Sequence, residues 1–353
     1  MEKIKAILSN LPEITGKRVY VWGAGNTAML FREGLSRIPQ LHIEAFVDND
    51  PAKQNKTVGD IPIIPADRMI ADKDTFVMIC TGQPAAFSAI TAQLSAMGIA
   101  CSSIDAAIFG MFKEEVMKAY SLLDDAESKH VYLSMLENRI LCRFPGKDLI
   151  TSDQYFCMLP FTGAAVGESF LDCGAYVGDS IERYIWARDG VFSKIIAFEP
   201  DQQNFAALQY RLERLKREWN ISDERVSCLR CGVSDTDSTI YVENDDVNNG
   251  FSSKMSATQA EGAEECSIVA LGRFIESGNC FIKADIESYE YRMLSGAKDA
   301  IAKHRPKIAV CIYHNSVDFF SIPLLIKQIA PAYRLAVRHH SFTLSETVLY
   351  VYP

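Results

Sequence analysis

The sequence lacks a membrane-spanning run and lacks the basic clusters that nucleic-acid binding requires. No stretch approaches the roughly 18 consecutive apolar residues of a membrane helix, and residues 1–10 contain no apolar signal-peptide core. The 353 residues include 36 Lys and Arg against 45 Asp and Glu, a formal charge of −9. A phosphate backbone is bound through clustered Lys and Arg. We therefore expect a cytoplasmic protein without a membrane or nucleic-acid partner.

The sequence also lacks a disulfide framework and a complete set of zinc ligands. Its ten cysteines are scattered through apolar surroundings, which indicates reduced thiols in a core. Cys228 and Cys231 have redox or zinc spacing, but no second pair or histidine cluster accompanies them, so we expect them to pack. With 48% apolar residues, the chain is long enough for two full-sized domains.

The first hundred residues carry the pattern of a small doubly wound α/β domain. A buried strand is predicted at Arg18–Trp22, with further strands at 42–47 and 75–80. A helix is predicted at 84–97, after the third strand. We place a Rossmann-like domain at 1–105.

A glycine turn follows the first strand of this domain. The turn has the spacing Gly-x-Gly-x-x-Ala, and Asp48 comes 20 residues after Ala28. At that offset a Rossmann acid reaches a ribose 2′-OH. The candidate nucleotide-binding residues are Gly23, Gly25, Asn26 and Asp48.

The Gly-Ala-Gly turn and the strand end Val47–Asp50 resemble the nucleotide-sugar-binding N-terminal domains of bacterial sugar-modifying enzymes. The resemblance implies a nucleotide-linked sugar as ligand. A structural turn in a domain that binds nothing is an equal alternative, and nicotinamide binding is a third. Helical apolar spacing then continues to residue 142, which predicts a helical linker at 106–150.

A second domain is predicted at 151–353. Near its start is the cluster Asp153–Phe156, which we interpret as a packing anchor or as a lip over a cofactor. An apolar run then breaks into a turn with the spacing Gly174-x-x-x-Gly178 and continues as a helix. Asp172 lies two residues before the first of these glycines, and a carboxylate there would repel a pyrophosphate. The arrangement favours a ligand with a positive end and no phosphate, such as S-adenosylmethionine.

Further strand ends in this domain carry candidate binding residues. A strand at 194–198 ends in Glu199, and an acid at that place can bind both hydroxyls of a ribose. The next strand, at 226–231, leads to Val233, Ser234 and Asp235, which we expect beside the adenine. The segments 332–339 and 346–352 alternate like a closing antiparallel hairpin at the sheet edge.

The order of these motifs resembles the FkbM family of class I S-adenosylmethionine-dependent methyltransferases. The motifs that carry the resemblance are Phe170–Asp179, Ala197–Pro200 with Asn204, Gly232–Asp235, Gly250–Ser253, Lys283–Glu287 with Glu290, Arg338–His340 and Glu346–Tyr350. The resemblance implies a seven-stranded doubly wound sheet and methylation of a hydroxyl oxygen on a sugar or related small molecule. The residues it predicts to bind the cofactor are Asp172, Gly174, Ala175, Tyr176, Gly178, Glu199, Asn204, Val233, Ser234 and Asp235.

Two positions depart from the pattern of that family. Ser288 stands where a glycine is usual after the acid of the fourth strand end, and Gly272-Arg273 replaces a common acidic pair. Neither position is an expected cofactor contact, so these departures concern the substrate.

Methyl transfer to a sugar hydroxyl requires alignment and a group that removes the proton. Asp285 is our first candidate for the base or substrate-orienting group, followed by His314 and Glu287. Asp285 and Glu287 could also hold a divalent metal, but two acids are thin support and we predict no metal site.

The 25 residues from Glu243 to Ser267 are polar and contain glycine. Because loops of this length inside a domain are usually functional or disordered, one hypothesis is a lid whose tip is Gly250–Ser253, and a solvated loop is the alternative.

For the whole chain, the favoured function is an O-methyltransferase. The alternatives are a nicotinamide-dependent oxidoreductase and a non-catalytic nucleotide-sugar-binding protein. The oligomeric state is open, and a homodimer is one option.

Overall fold

The protein was analysed as a computed structural model, which describes residues 1–163, 166–243, 254–256 and 264–353. Two compact units share the chain. The first comprises Met1–Ile150, Ile312–Leu324 and Val337–Thr347, and the second comprises Thr151–Cys311, Leu325–Ala336 and Val348–Pro353. The limits 1–105, 106–150 and 151–353 remain a prediction about consecutive domains.

The first unit is built on a six-stranded sheet with the order β3-β4-β2-β1-β5-β6. The strands are β1 (Arg18–Trp22), β2 (Ile43–Val47), β3 (Thr57–Val58), β4 (Ile61–Ile64), β5 (Thr75–Ile79) and β6 (Ala100–Ser103). The helices of this part are α1 (Glu2–Ser9), α2 (Asn26–Ser36), α3 (Pro84–Ala96), α4 (Ile104–Met111), α5 (Lys113–Ser121) and α6 (Ala126–Leu141). Neighbouring strands are parallel except in the β3–β4 hairpin.

The central strands of this sheet are apolar on both faces, as expected where helices cover both sides. In β1 every residue from Val19 to Trp22 is buried. Trp22, Val47, Ile79 and Leu94 belong to one packed core. The continuous apolar run therefore fixes β1 in the middle of the sheet.

The seven-stranded sheet has the order β16-β17-β15-β14-β7-β8-β9. The strands after residue 168 are β7 (Ser169–Cys173), β8 (Lys194–Phe198), β9 (Val226–Leu229), β10 (Cys231–Ser234), β11 (Ser238–Glu243), β12 (Lys254–Ser256), β13 (Glu264–Ala270), β14 (Cys280–Ala284), β15 (Lys307–Cys311), β16 (Arg334–His339) and β17 (Thr347–Tyr352). The helices of this part are α7 (Asp179–Ala187), α8 (Gln202–Trp219), α9 (Glu290–Gly296), α10 (Lys298–His304) and α11 (Asp318–Ile329). Strands β15, β14, β7, β8 and β9 are parallel, and β17 runs antiparallel to β15. The predicted seven-stranded α/β fold is confirmed.

Two segments differ from the prediction. The strand expected at 226–231 is two strands, because β9 joins the seven-stranded sheet whereas β10 pairs with β13 in a separate four-stranded sheet. The segment 243–267, expected as one long loop, includes strand β12 and the start of β13. The expected lid tip Gly250–Ser253 lies outside the described residues.

A buried ionic network holds the amino-terminal end of β7. Glu168 and Arg188 are fully buried, and Arg188 Nε lies 2.7 Å from a Glu168 oxygen. The Tyr184 hydroxyl donates to the same carboxylate at 3.1 Å, and Lys307 forms an ion pair with it. These partners offset the cost of burying the Glu168 charge. The opposite, carboxyl-terminal end of β7 carries the candidate site.

Candidate functional site

The turn after β7 is fixed by its own backbone. Gly174 and Gly178 have φ angles of 79° and 83°, a region that glycine enters without the steric cost other residues bear. The N–H groups of Gly174 and Ala175 donate to the carbonyl of Phe198 at 3.0 and 2.9 Å. A side chain at Gly174 would overlap the carbonyl oxygen of Asp285. Glycine is therefore required here for backbone conformation and for close packing.

Asp172 is fully buried and its charge is balanced inside the protein. The Lys283 ammonium lies 3.2 Å from one carboxylate oxygen, and the Ser180 hydroxyl donates to the other. Lys283 also donates to the carbonyl of Gly174 at 2.6 Å. Burial alone would lower the pKa of Lys283, but the carboxylate beside it raises that pKa well above its usual range. Asp172 and Lys283 thus hold the glycine turn, whereas the sequence suggested that the acid faces the ligand directly.

Glu199 lies directly after β8 and is 6% exposed. One carboxylate oxygen accepts the N–H of Tyr176 at 2.8 Å, and the other accepts the N–H of Asp201 at 3.0 Å. Burial raises the pKa of Glu199 to about 7, although these two backbone hydrogen bonds act in the opposite direction. The turn and the acid, predicted separately, are therefore joined by a direct hydrogen bond.

The start of α8 is tied to the same acid. Asp201 is the N-cap of α8 and accepts the N–H of Asn204 at 2.8 Å. Asp201 also donates its own N–H to Glu199. Asn204 is therefore linked to the predicted ribose acid through Asp201.

The three residues predicted beside the adenine lie on and after β10. Val233 and Ser234 are buried, and the Ser234 hydroxyl donates to the Asp235 carboxylate at 3.1 Å. The backbone of Asp235 packs so closely on Gly296 of α9 that a side chain on Gly296 would overlap it. The structure therefore places this group at the end of β10 in the four-stranded sheet, where Asp235 packs against α9.

Asp285 follows β14 and is held by an aromatic residue. The Tyr155 hydroxyl donates to Asp285 Oδ2 at 3.0 Å, and the Lys283 ammonium lies 5.4 Å from the centre of the Tyr155 ring. The N–H of Asp285 donates to the carbonyl of Cys173 at 3.0 Å. The first catalytic candidate therefore lies against the glycine turn.

The backbone after Asp285 is unusual. Glu287 is half-buried with a φ angle of 55°, and Ser288 is buried with a φ angle of 80°. The second value lies where glycine is strongly favoured. The glycine usual at this position in the FkbM family thus has a conformational reason, and Ser288 departs from it at a cost in strain.

His314 is buried in the first unit, whereas Asp285 and Glu287 belong to the second. Its ring lies 4.1 Å from the ring of Tyr313, measured between centroids. The role of His314 remains a prediction.

The glycine turn of the first unit is closed by its own acid. Asp48 Oδ2 accepts the N–H of Ala24 at 2.9 Å and the Lys53 ammonium at 3.1 Å, and Oδ1 accepts the N–H of Asp50 at 2.9 Å. Gly23 has a φ angle of 112° and approaches the carbonyl of Cys80 too closely for a side chain. Asp48 thus stabilises the turn, and Asn26 begins α2 directly after Gly25.

Sequence reasoning gave no role to Lys283 or Ser180, and it offered Tyr155 only as part of a packing anchor or a lip. The pairing of Lys283 with Asp172 joins residues 111 positions apart on neighbouring strands, and nothing local signals it. An available signal was the charged Lys283 inside an otherwise apolar strand, because buried lysines are rare unless paired.

Residues 172–340 match the family model described as the methyltransferase FkbM domain. The chain is similar to a methyltransferase FkbM from Methylobacillus flagellatus KT over 100% of its own length and 94% of that protein, with 22% identity and a TM-score of 0.58. At this identity the likeness shows the fold. A comparison with curated proteins gave no match.

Weaker similarities extend to other methylases. An rRNA methylase from Streptococcus thermophilus matches with 11% identity over 53% of this chain and 87% of that one, with a TM-score of 0.30. A putative methyltransferase from Streptococcus mutans, solved in complex with SAH, matches with 11% identity over 54% and 90%, with a TM-score of 0.30. Among the described residues, no helix is long and apolar enough to span a membrane.

Proposed function

We propose that the protein transfers a methyl group from S-adenosylmethionine to a hydroxyl of a sugar, glycan or related small molecule. The match of residues 172–340 to the methyltransferase FkbM domain supports the proposal. The observation that carries the proposal is Glu199, a buried carboxylate hydrogen-bonded to the glycine turn at the carboxyl end of the parallel strands. Ligands of open α/β sheets bind outside that end.

The chemistry of these residues suits an adenosyl cofactor. Each oxygen of Glu199 accepts one backbone N–H, and a carboxylate oxygen can accept about two hydrogen bonds. Glu199 therefore retains acceptor capacity for both hydroxyls of a ribose. Asp172 affects the cofactor indirectly. Its charge is balanced by Lys283, and the pair positions the glycine turn.

The protein's own part in the reaction is alignment and proton removal. When bound, the cofactor supplies an electrophilic methyl group. In this proposal Asp285 takes the proton that the acceptor hydroxyl loses, and the hydrogen bond from Tyr155 orients its carboxylate. Glu287 and His314 are the remaining candidates for base or for orienting the acceptor.

Calorimetric titration of the intact protein with S-adenosylhomocysteine tests cofactor binding. We expect binding by the wild type, a loss of at least about tenfold in affinity for Glu199→Ala and for Asp172→Ala, and no change for Glu213→Ala, whose side chain is 65% exposed on α8. Absence of binding by the wild type would overturn the proposal.

Turnover on a panel of sugar acceptors tests the transfer itself. Asp285→Asn should retain affinity for S-adenosylhomocysteine and lose about 10²–10⁴-fold in kcat, the range expected for a general base. Cofactor binding without turnover on any acceptor would favour a non-catalytic binding protein.

The oxidoreductase alternative depended on Asp48 as a ribose acid. Asp48 already accepts three hydrogen bonds within the first unit, which leaves it about one acceptor position for a ribose where Glu199 keeps about two. Binding of reduced nicotinamide cofactor without binding of S-adenosylhomocysteine would restore it.

A further inference from the structure

The first unit contains a cavity of about 120 Å³ whose lining includes Thr27, Thr81, Gly82, Ser103, Asp105 and Arg139. Thr27 is in the first turn of α2, which follows β1, and Thr81 and Gly82 follow β5. Strand β1 lies between β2 and β5. The sheet therefore extends from β1 to one side through β2 to β4 and to the other side through β5 and β6. This is a switch point of a doubly wound sheet, where ligands bind.

A buried ion pair forms the polar part of the lining. Arg139 is 3% exposed and Asp105 is 7% exposed. The Nε and Nη2 groups of Arg139 lie 2.9 and 2.7 Å from Asp105 Oδ1, and Nη1 donates to the carbonyl of Tyr313 at 2.8 Å. Within the part of the chain that the structure describes, these contacts use three of the five N–H groups of Arg139.

The second carboxylate oxygen of Asp105 has no hydrogen-bond partner among the described residues. This oxygen is not fully buried, so it is open to the cavity. A carboxylate oxygen that faces a cavity and receives no donor from the protein has free acceptor capacity. A ligand that donates a hydrogen bond there would use that capacity.

The charges of the pair select the kind of ligand. Because Asp105 and Arg139 neutralise each other, this pair offers no net charge to an anion or a cation; His314 also lines the cavity. The pair offers an acceptor on Asp105 beside the remaining donors of Arg139, and a hydroxyl group can satisfy both. Leu30, Phe31 and Ile79 provide apolar lining for the C–H side of such a ligand.

We propose that this cavity binds the vicinal diol of a monosaccharide, free or as part of a larger ligand, with one hydroxyl donating to Asp105 Oδ2 and accepting from Arg139. The volume agrees, because a cavity of about 150 Å³ holds a benzene-sized molecule, and a diol with its ring edge is smaller than that. The proposal is independent of cofactor binding by the second unit.

The test is ligand-observed saturation-transfer NMR on the intact protein with D-ribose and D-glucose as probes. Tetrahydropyran, a ring without hydroxyls, and inorganic phosphate are the comparison ligands. We expect sugar binding with a Kd of about 1–10 mM, which is weak as for a small polar ligand, and no binding of tetrahydropyran or phosphate.

Three variants locate the binding. Gly82→Leu places a side chain in open space beside the cavity, since an added Cβ meets no atom within 4 Å, and it should abolish the sugar signal. Gln83→Leu is the matched control, because Gln83 is exposed and makes no side-chain cap bond, and it should bind normally. Asp105→Asn can keep the acceptor for Arg139 while turning Oδ2 into a donor, and it should weaken binding at least about tenfold.

Two results would overturn the proposal. One is the absence of a sugar signal with the wild type at 50 mM probe, roughly five times the weakest expected Kd; phosphate binding in its place has the same meaning. The other is a sugar signal that persists in Gly82→Leu, because the sugar is then bound elsewhere. If Asp105→Asn fails to fold, Gly82→Leu still decides the outcome, since it removes no contact.

Discussion

Affinity for S-adenosylhomocysteine should depend on pH through Glu199. Its pKa of about 7 reflects burial of the carboxylate, opposed by the N–H groups of Asp201 and Tyr176. A ribose hydroxyl donates its hydrogen bond to the ionised form, so protonation of Glu199 competes with cofactor binding.

The magnitude follows from that pKa. With a pKa of about 7, roughly a tenth of Glu199 is ionised at pH 6 and roughly nine-tenths at pH 8. The Kd of S-adenosylhomocysteine should therefore be about tenfold larger at pH 6 than at pH 8, or about 1.4 kcal/mol. Calorimetry at the two pH values measures the ratio, and at pH 7 binding should release up to about half a proton.

Glu199→Gln is the control, because it cannot ionise, and its weaker affinity should be the same at both pH values. A wild-type Kd that does not change between pH 6 and pH 8 would refute the reasoning. So would a tenfold ratio that persists in Glu199→Gln, since another group would then be titrating.

The pKa of Glu199 also predicts that, without cofactor, the stability of the protein falls as pH rises, whereas cofactor affinity increases. The folded pKa of about 7 lies above the ordinary 4.5, so this contribution to stability is fully present below pH 4.5 and is lost as pH rises through 7. The rise of the pKa from 4.5 to about 7 corresponds to a loss on the order of 3 kcal/mol. A wild-type Tm that falls from pH 5 to pH 8 more steeply than the Tm of Glu199→Gln would agree with it, and parallel curves would contradict it.

Three further substitutions test the site. Gly174→Ala should lose several kcal/mol of stability and all cofactor binding, because its Cβ overlaps the Asp285 carbonyl; a variant with normal Tm would contradict this packing. Ser288→Gly should be more stable than Ser288→Ala by about 1 kcal/mol, because only glycine relieves a φ of 80°; urea unfolding measures the difference, and equal stability would refute the strain. Tyr155→Phe should lower kcat about tenfold and leave the Kd of S-adenosylhomocysteine unchanged, since it removes the hydroxyl that donates to Asp285 and keeps the aromatic ring; an unchanged kcat would show that this hydrogen bond does not orient Asp285.

Elements with a strong local signal could be predicted from the sequence. Strand β7 and the turn after it are an apolar run followed by spaced glycines, and β8 ends in Glu199 as expected. The prediction of a single strand at 226–231 was wrong, because an apolar run indicates that a segment is buried but does not determine which strand it pairs with. The chain changes sheets at Arg230, and only the pairing of β10 with β13 shows it.

The chemistry of the site was less predictable than its position. Asp172 was found by its place before the turn, but its partner Lys283 is distant in sequence and comes from the adjacent strand. The usual glycine at position 288 was known from the family resemblance, yet its reason is a φ angle that only a folded backbone has. Spacing identifies candidate residues, whereas charge balance and strain depend on tertiary contacts.

Because Gly174 has no side chain, the glycine turn and the backbone of Asp285 pack directly against each other. Its Cα rests on the carbonyl of Asp285, and the N–H of Asp285 is bonded back to Cys173. A ligand that shifts the turn by a few tenths of an ångström should also shift the backbone of Asp285, the proposed proton acceptor, because no compressible side chain lies between them. Occupancy of the turn and alignment of Asp285 are therefore coupled over a single van der Waals contact, without any movement of whole domains.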